Sequence, residues 1–346
     1  MVLSLVSICI PTYNRAGMVR KAIESALSQT YTNIEILVVD DASNDDIESV
    51  IAGYNNEKLH FFKNKRNLGQ FGNFNRCIEL SKGKYIHILH SDDYIDSNFI
   101  SISVDFMESH PNVMMTCGTA IFINSNKQSK VAVSDHDIIY PAQEGFRKIL
   151  EDGNFIVCPS VVIKREVYDS VGLFSCEYPY AGDLYQWLRI LQKFDFAYVA
   201  DAIVFYRQGN HSESFQLLQK TPLGYIDYIK IYLRIIEELC ESVENYRTEL
   251  NLSIRKRMYS CINNGIWLSK STISFSPQIF IGFAFNLWTI IQPDSIYSRI
   301  NKYFELIYIL IVGFLLPFSL GRFFLIFSLR LKRKIFHLLR QYKSYI

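Results

Sequence analysis

The chain has 346 residues, a formal net charge of +2 and 49% hydrophobic residues, with 25 Phe and 22 Tyr. A charge balance this near neutral gives no global field for a nucleic-acid partner, and the length exceeds one average domain. The seven cysteines, an odd number, form no Cys-x-x-Cys pair, which argues against a zinc site or disulfide framework and for reduced thiols in a cytosolic setting. The first residues, Met1-Val2-Leu3-Ser4-Leu5, lack the basic stretch and cleavage site of a signal peptide and run straight into an apolar segment.

Leu5 to Ile10 predicts a buried strand broken by Pro11. Ala16 to Gln29 has helical spacing, with Val19, Ala22, Ile23, Ala26 and Leu27 on one face. Ile34 to Val39 predicts a second buried strand, ending at Asp40-Asp41, and Asp45 to Ile51 a short helix. A third strand is expected over Leu59 to Phe62, and a helix over Asn73 to Leu80 with Phe74, Cys77 and Ile78 inward. Tyr85 to Leu89, bounded by Lys82-Gly83-Lys84, predicts a fourth strand. Strands that are apolar throughout, alternating with helices, imply a mostly parallel sheet covered on both faces.

Three of these strands end in polar clusters: Pro11-Thr12-Tyr13-Asn14-Arg15, Asp40-Asp41-Ala42-Ser43 and Ser91-Asp92-Asp93. Parallel strands point the same way, so the clusters should meet at one sheet edge, where open α/β sheets bind ligands. Each cluster has a plainer reading as a helix cap or turn. Paired aspartates at a strand end also suit a hard divalent cation shared with a phosphate. There is no Gly-x-Gly-x-x-Gly after the first strand and no Walker-A sequence, which weakens dinucleotide-dependent oxidoreductase and P-loop NTPase readings. The loop Asn67-Leu68-Gly69-Gln70-Phe71-Gly72 is either an ordinary turn or a place where backbone N–H groups approach a phosphate.

In order and spacing, Pro11-Thr12-Tyr13-Asn14-Arg15, Val38 to Ser43, Asn67-Leu68-Gly69, Gly83 to Ile86 and Ser91-Asp92-Asp93 together resemble the family 2 glycosyltransferases. The resemblance covers roughly residues 4 to 210. It implies the GT-A nucleotide-diphospho-sugar transferase fold, a mostly parallel central sheet flanked by helices. It also implies transfer of a sugar from a nucleotide-diphosphate donor, with inversion, aided by Mn2+ or Mg2+. Carried over by position, Pro11 and Tyr13 would line the nucleobase pocket, Asp41 would accept from the base, and Asn67 would lie near the nucleoside. Asp92 would sit by the ribose or the metal, and Asp93 would ligate the metal bridging the phosphates. Gly182-Asp183-Leu184-Tyr185-Gln186-Trp187 fits the segment carrying the acceptor base, which makes Asp183 the base, the cap of a helix over Leu184 to Gln192, or both. Trp187 and Leu188 are expected in the core. Pro159 to Arg165 and Gly172-Leu173-Phe174 match the acceptor-side half.

The chain departs from the pattern at four places. His90 stands where an Asp is common, Phe74 where an Arg is often seen, and Gly182 where a Glu precedes the base. Gly209 holds a usual His position, leaving His211 as a metal ligand, a diphosphate contact or a plain surface histidine.

Beyond this half, residues 222 to 270 have helical patterning with a stripe of Tyr225, Ile229, Tyr232, Leu233 and Ile236. Leu306 to Leu329 is almost wholly apolar and, as a helix at about 1.5 Å per residue, long enough for a bilayer core. Pro317 and Gly321-Arg322 interrupt it, and an arginine at mid-depth costs about 2.5–3.5 kcal/mol, which favours a re-entrant or surface-lying hairpin. No acid follows Glu305. Leu331, Ile335, Leu338, Leu339 and Tyr342 form an apolar face among Arg330, Lys332, Arg333, Lys334, Arg340 and Lys343, as on a helix lying on an anionic membrane or packed on the catalytic domain. The expected organisation is a catalytic domain over 1–215, a helical extension over 216–300 and a membrane-associating segment over 301–346. The expected location is the cytoplasmic membrane face, the partners are a nucleotide-sugar donor and a saccharide acceptor that is lipid-linked in surface-polysaccharide assembly, and no nucleic acid is involved. The alternatives are a non-catalytic nucleotide-sugar-binding scaffold of a membrane complex and, less favoured, a nucleotidyltransferase.

Overall fold

The computed structural model describes residues 3–124, 127–209 and 223–240. The first half alternates in the expected order: β1 (Val6–Thr12), α1 (Ala16–Leu27), β2 (Ile34–Asp40), α2 (Ile47–Ala52), β3 (Leu59–Lys63), α3 (Gln70–Leu80) and β4 (Tyr85–Ile88). β1 and β2 are buried along their whole length, which is why neither shows polar alternation. β1 pairs in parallel with β2 and β4, and β2 with β3, so these four strands deliver their ends to one edge. Val19, Ala22, Ile23 and Ala26 of α1 and Phe74, Cys77 and Ile78 of α3 are buried.

Two boundaries differ from the sequence expectation. β1 runs through Pro11, which pairs with Val39 of β2, while the pairing with β4 ends at Cys9 and Ile88. Past Cys9 the β4-facing side of the strand needs no ladder hydrogen bond, so proline costs nothing there. α3 starts at Gln70, ahead of Asn73, because Gly69 takes φ +77° and turns the chain directly into the helix.

Beyond β4 the sheet becomes mixed. The chain continues through β5 (Tyr94–Ile95), α4 (Phe99–Ser109), β6 (Val113–Asn124), β7 (Lys127–Val131), β8 (Ile138–Tyr140), α5 (Glu144–Asp152), β9 (Val161–Lys164), α6 (Glu166–Val171), α7 (Gly182–Leu191) and β10 (Asp195–Arg207). The order is β3-β2-β1-β4-β9-β6-β10-β5, with β7 on β6 and β8 on β10. β9 lies antiparallel between β4 and β6, and β10 runs parallel to β6. The β6–β10 register breaks between Val199 and Ile203. Gly118 allows this crossing, since a Cβ there would fall 2.0 Å from the Ala202 carbonyl oxygen. After the break, Val204 and Phe205 pair with β5, which carries Arg207 beside Asp92 and Asp93.

The Gly83 motif works structurally. Ser7 Oγ and Lys82 N–H both donate to buried Glu35, and Gly83 N–H donates to Ser7 Oγ at 2.8 Å. A Cβ on Gly83 would lie 2.6 Å from Ser7 N. Cys9, Cys77, Cys117, Cys158 and Cys176 are free thiols.

α8 (Leu223–Cys240) buries Ile229 and Tyr232, two positions of the expected stripe. Among the described residues, those up to 209 and the second half of α8 fall in one compact unit, and the first half of α8 in another. No helix among the described residues is long and apolar enough to cross a membrane. His211, the expected 215/216 boundary, residues 241–270, and the apolar and basic segments after 301 lie outside the described residues.

Candidate active site

The strand ends converge on one cleft of about 270 Å³, lined among others by Pro11, Tyr13, Arg15, Asp41, Asn67, Phe74, His90, Asp92 and Tyr206. Of the residues expected in a nucleotide pocket, Pro11, Tyr13, Asp41, Asn67 and Asp92 all line it. The Tyr13 ring is 43% exposed, an apolar plate left open at the rim.

The first part of the rim is tied together by side chain–backbone hydrogen bonds. Asp41 is buried and accepts from Leu68 N–H at 2.8 Å, Gly69 N–H at 3.0 Å and the Asn64 amide at 2.9 Å. Its carboxylate therefore shapes the Asn67–Gly69 loop that forms one wall. Asn14 donates its N–H to Ser43 Oγ at 2.8 Å and accepts from Asn44 N–H at 2.9 Å, which joins the β1 and β2 clusters. Asn14 and Ala42 both sit at left-handed φ, 51° and 61°. Such backbone is costly for a residue with a Cβ and persists where its surroundings fix it. Here the fully buried Asp40 carboxylate accepts from both the N–H and the hydroxyl of Ser43.

The second part of the rim is built from titratable groups. Asp92 forms an ion pair with Arg15, and its carbonyl accepts from Arg207 Nε. Asp93 is 1% exposed, and its Oδ1 accepts from Arg207 N–H at 2.8 Å. Its Oδ2 has no hydrogen-bond donor and lies 3.5 Å from His90 Nδ1. Burial, with the Asp92 carboxylate, pushes the Asp93 carboxyl up, against the pull of His90. Burial opposes charge on His90, but Cys158 and Asp93 override it and hold the imidazole well above its ordinary value. The Ser91-Asp92-Asp93 segment caps no helix: β5 follows it, and α4 begins only at Phe99.

Asp183 lies in the first turn of α7, whose N-cap is Ala181, so the helix starts earlier than Leu184 and Asp183 is not its cap. Its carboxyl is pushed up by burial, while the Leu184 N–H and the nearby His90 pull it down. A carboxylate raised toward neutrality is suited to accept a proton. Trp187 and Leu188 are buried, as expected for core residues. Gly182 has a packing reason, since a Cβ there would fall 2.7 Å from the Phe71 ring. Phe71 meets Phe74 edge-on at 5.5 Å and stacks on Phe174 at 5.7 Å, and Phe74 lies 5.6 Å from the His90 ring. Phe74, His90 and Gly182, three of the four departures from the family pattern, are thus linked through one aromatic cluster.

One ligand atom each from His90, Asp92 and Asp93 lies within 4.8 Å of the others. Arg15 pairs with Asp92 Oδ2, and the Arg207 N–H donates to Asp93 Oδ1. This donor set, with the undonated Asp93 Oδ2, fits a divalent cation. Sequence reasoning gave no role to His90, Arg15, Arg207 or Cys158. Arg15 and His90 stand inside or beside the motifs named above. Cys158 reaches His90 only because β9 inserts between β4 and β6, which no local pattern signals.

Residues 7–172 match the family described as Glycosyl transferase family 2. Two relatives from Escherichia coli are named UDP-Glc:alpha-D-GlcNAc-diphosphoundecaprenol beta-1,3-glucosyltransferase. WfaP is 34% identical over 55% of this chain and 72% of its own length, and WfgD is 30% identical over 54% and 70%. Crystal structures of S. aureus TarS 1-349, including one with UDP-GlcNAc, share the fold. That complex has a TM-score of 0.63 at 14% identity, over 88% of this chain and 90% of that one. Together with the α/β sheet and its strand-end cleft, these similarities make the chain a member of glycosyl transferase family 2, a glycosyltransferase of the GT-A fold.

Proposed function

We propose that this chain transfers a sugar from a uridine-diphosphate donor to a hydroxyl of a lipid-linked saccharide in surface-polysaccharide assembly, with inversion at the anomeric carbon. The observation that carries this reading is a cleft in which a preformed rim meets His90 and Asp92, with Asp93 beside them. The E. coli relatives' names support the uridine donor and the diphospholipid acceptor.

In this reading Pro11 and Tyr13 hold the base, the exposed Tyr13 ring offering a stacking face. Asp41 shapes the loop that carries Asn67 against the nucleoside, and its carboxylate, at the cleft wall, also faces the base. Asp92, oriented by Arg15, lies by the ribose or the cation, and Asp93 would hold the cation, Mn2+ or Mg2+. The cation would neutralise charge on the departing diphosphate. Asp183 takes the acceptor hydroxyl's proton, and attack from the face opposite the diphosphate inverts the centre. His211 stays open in the proposal as a further cation ligand, a diphosphate contact or a plain surface histidine. The 1–215 catalytic domain, the 216–300 extension and a 301–346 segment resting on the cytoplasmic membrane face complete it.

The direct test is transfer from UDP-hexoses to a synthetic GlcNAc-diphospho-lipid, using wild type and Asp183→Asn. Product from wild type with inverted configuration supports the proposal. Nucleotide binding without sugar release by wild type would favour the non-catalytic scaffold. Fractionation of full-length protein beside a chain ending near Ile300 tests the membrane segment, and identical partitioning would remove it from the account.

A further inference from the structure

We propose that His90 is a third protein ligand of the divalent cation, and that it makes this site prefer first-row transition metals over Mg2+. The inference rests on the nucleotide-sugar reading above and adds to it the identity of the metal.

Three observations carry it. First, His90 stands with Asp92 and Asp93 in one group whose ligand atoms lie within 4.8 Å. Second, the Asp93 side chain is 1% exposed, and its Oδ2, without a hydrogen-bond donor, is aimed at His90 Nδ1 from 3.5 Å. Its other oxygen is fixed by Arg207 N–H, so the carboxylate cannot turn away without losing that bond. Third, the imidazole is seated by packing. Phe74 lies 5.6 Å from it, and Phe74 is itself wedged edge-on against Phe71 and Phe174 at 5.5 and 5.6 Å. A guanidinium at position 74 would repel a nearby cation, whereas the Phe74 ring adds no positive charge and holds the histidine in place.

Chemistry then sets the preference. Mg2+ demands oxygen donors in tight octahedral array, while Mn2+, Co2+ and Zn2+ accept imidazole nitrogen readily. In the cation's absence a proton on His90 answers the Asp93 carboxylate, and the cation would take that proton's place; two carboxylates and one neutral imidazole therefore shift selectivity away from Mg2+. Phe74 acts as a positioning residue, through His90.

The experiment uses the full-length protein, Mn2+ and UDP as the probe nucleotide. Pulsed electron paramagnetic resonance of bound Mn2+ is expected to show imidazole 14N coupling in wild type and none in His90→Asp or His90→Gln. Competition of Mg2+ against bound Mn2+ should become at least about tenfold easier in His90→Asp, a change of about 1.4 kcal/mol. Two variants are used so that a folding failure in one leaves the other to decide. Bound Mn2+ without nitrogen coupling in wild type, or equal metal selectivity in wild type and His90→Asp, overturns the proposal and leaves the donor reading standing. No Mn2+ binding in the presence of UDP would remove the cation from the donor reading and this inference with it.

Discussion

The two halves of the cleft rim are built on opposite physical plans. On the side proposed to hold the nucleotide, Asp41, Asn14 and Asp40 direct their hydrogen-bonding capacity to neighbouring backbone N–H groups, so the loops are set before any ligand arrives. On the chemical side, buried Asp93 and half-buried His90 and Asp183 are titratable groups with shifted proton affinities, and Asp93 keeps an undonated oxygen. The contrast separates two tasks. A preformed rim reduces the ordering cost of binding, while buried charge in a drier setting strengthens the electrostatics that act on a reacting bond.

That division can be broken by substitution. The largest expected effect is on the chemical side: Asp183→Asn should lower turnover by about 10²–10⁴-fold, as loss of a general base does, with nucleotide affinity nearly unchanged. Because burial raises the Asp183 carboxyl, wild-type turnover should fall as pH drops, at a pH above the ordinary aspartate value. A pH–rate profile limited only near the usual aspartate value would count against this.

The next effect is on stability and lies in β4, under the chemical side. His87 is fully buried, its Nδ1 is 2.9 Å from the Val161 carbonyl, and burial pushes its pKa down to about 4. Above the unfolded value of about 6.5 both states are neutral, and the full stability is present. As pH falls from there toward 4 the unfolded chain gains a proton that the folded chain refuses, so stability declines by up to about 3 kcal/mol. The difference in unfolding free energy between wild type and His87→Leu should follow that window, and a pH-independent difference would contradict the burial argument.

On the nucleotide side, Asp41→Ala removes the acceptor of two backbone N–H groups and an amide. Nucleotide affinity should fall about 10- to 100-fold, or about 1.4–2.8 kcal/mol, with the effect of Asp183→Asn on turnover unchanged in the double variant. The smallest effect is steric. Gly182→Ala should cost about 1–3 kcal/mol by pressing on Phe71, and Phe71→Leu should recover part of it in thermal unfolding.

The two sides were also unequally legible in the sequence. The nucleotide side follows from local pattern, since apolar strands end in polar clusters and parallel pairing brings those ends together. Pro11 misled about the end of β1, because one-sided pairing there is a property of the sheet and not of the residue. The chemical side depends on long-range assembly. The insertion of β9 beside β4 brings Cys158 to His90, the bulge after Val199 aims Arg207 at Asp93, and Phe71 fills the space over Gly182. None of these leaves a local signature. The aspartates could be named from their motifs, whereas the imidazole beside them acquired a meaning only once Phe74 and Asp93 were seen around it.

Calorimetric titration of UDP in the presence of Mn2+ into wild type, Asp41→Ala and Asp183→Asn tests the division most directly. The account predicts that Asp183→Asn binds within about twofold of wild type, and that Asp41→Ala binds at least about tenfold more weakly. Loss of binding in Asp183→Asn, or wild-type affinity in Asp41→Ala, would contradict it.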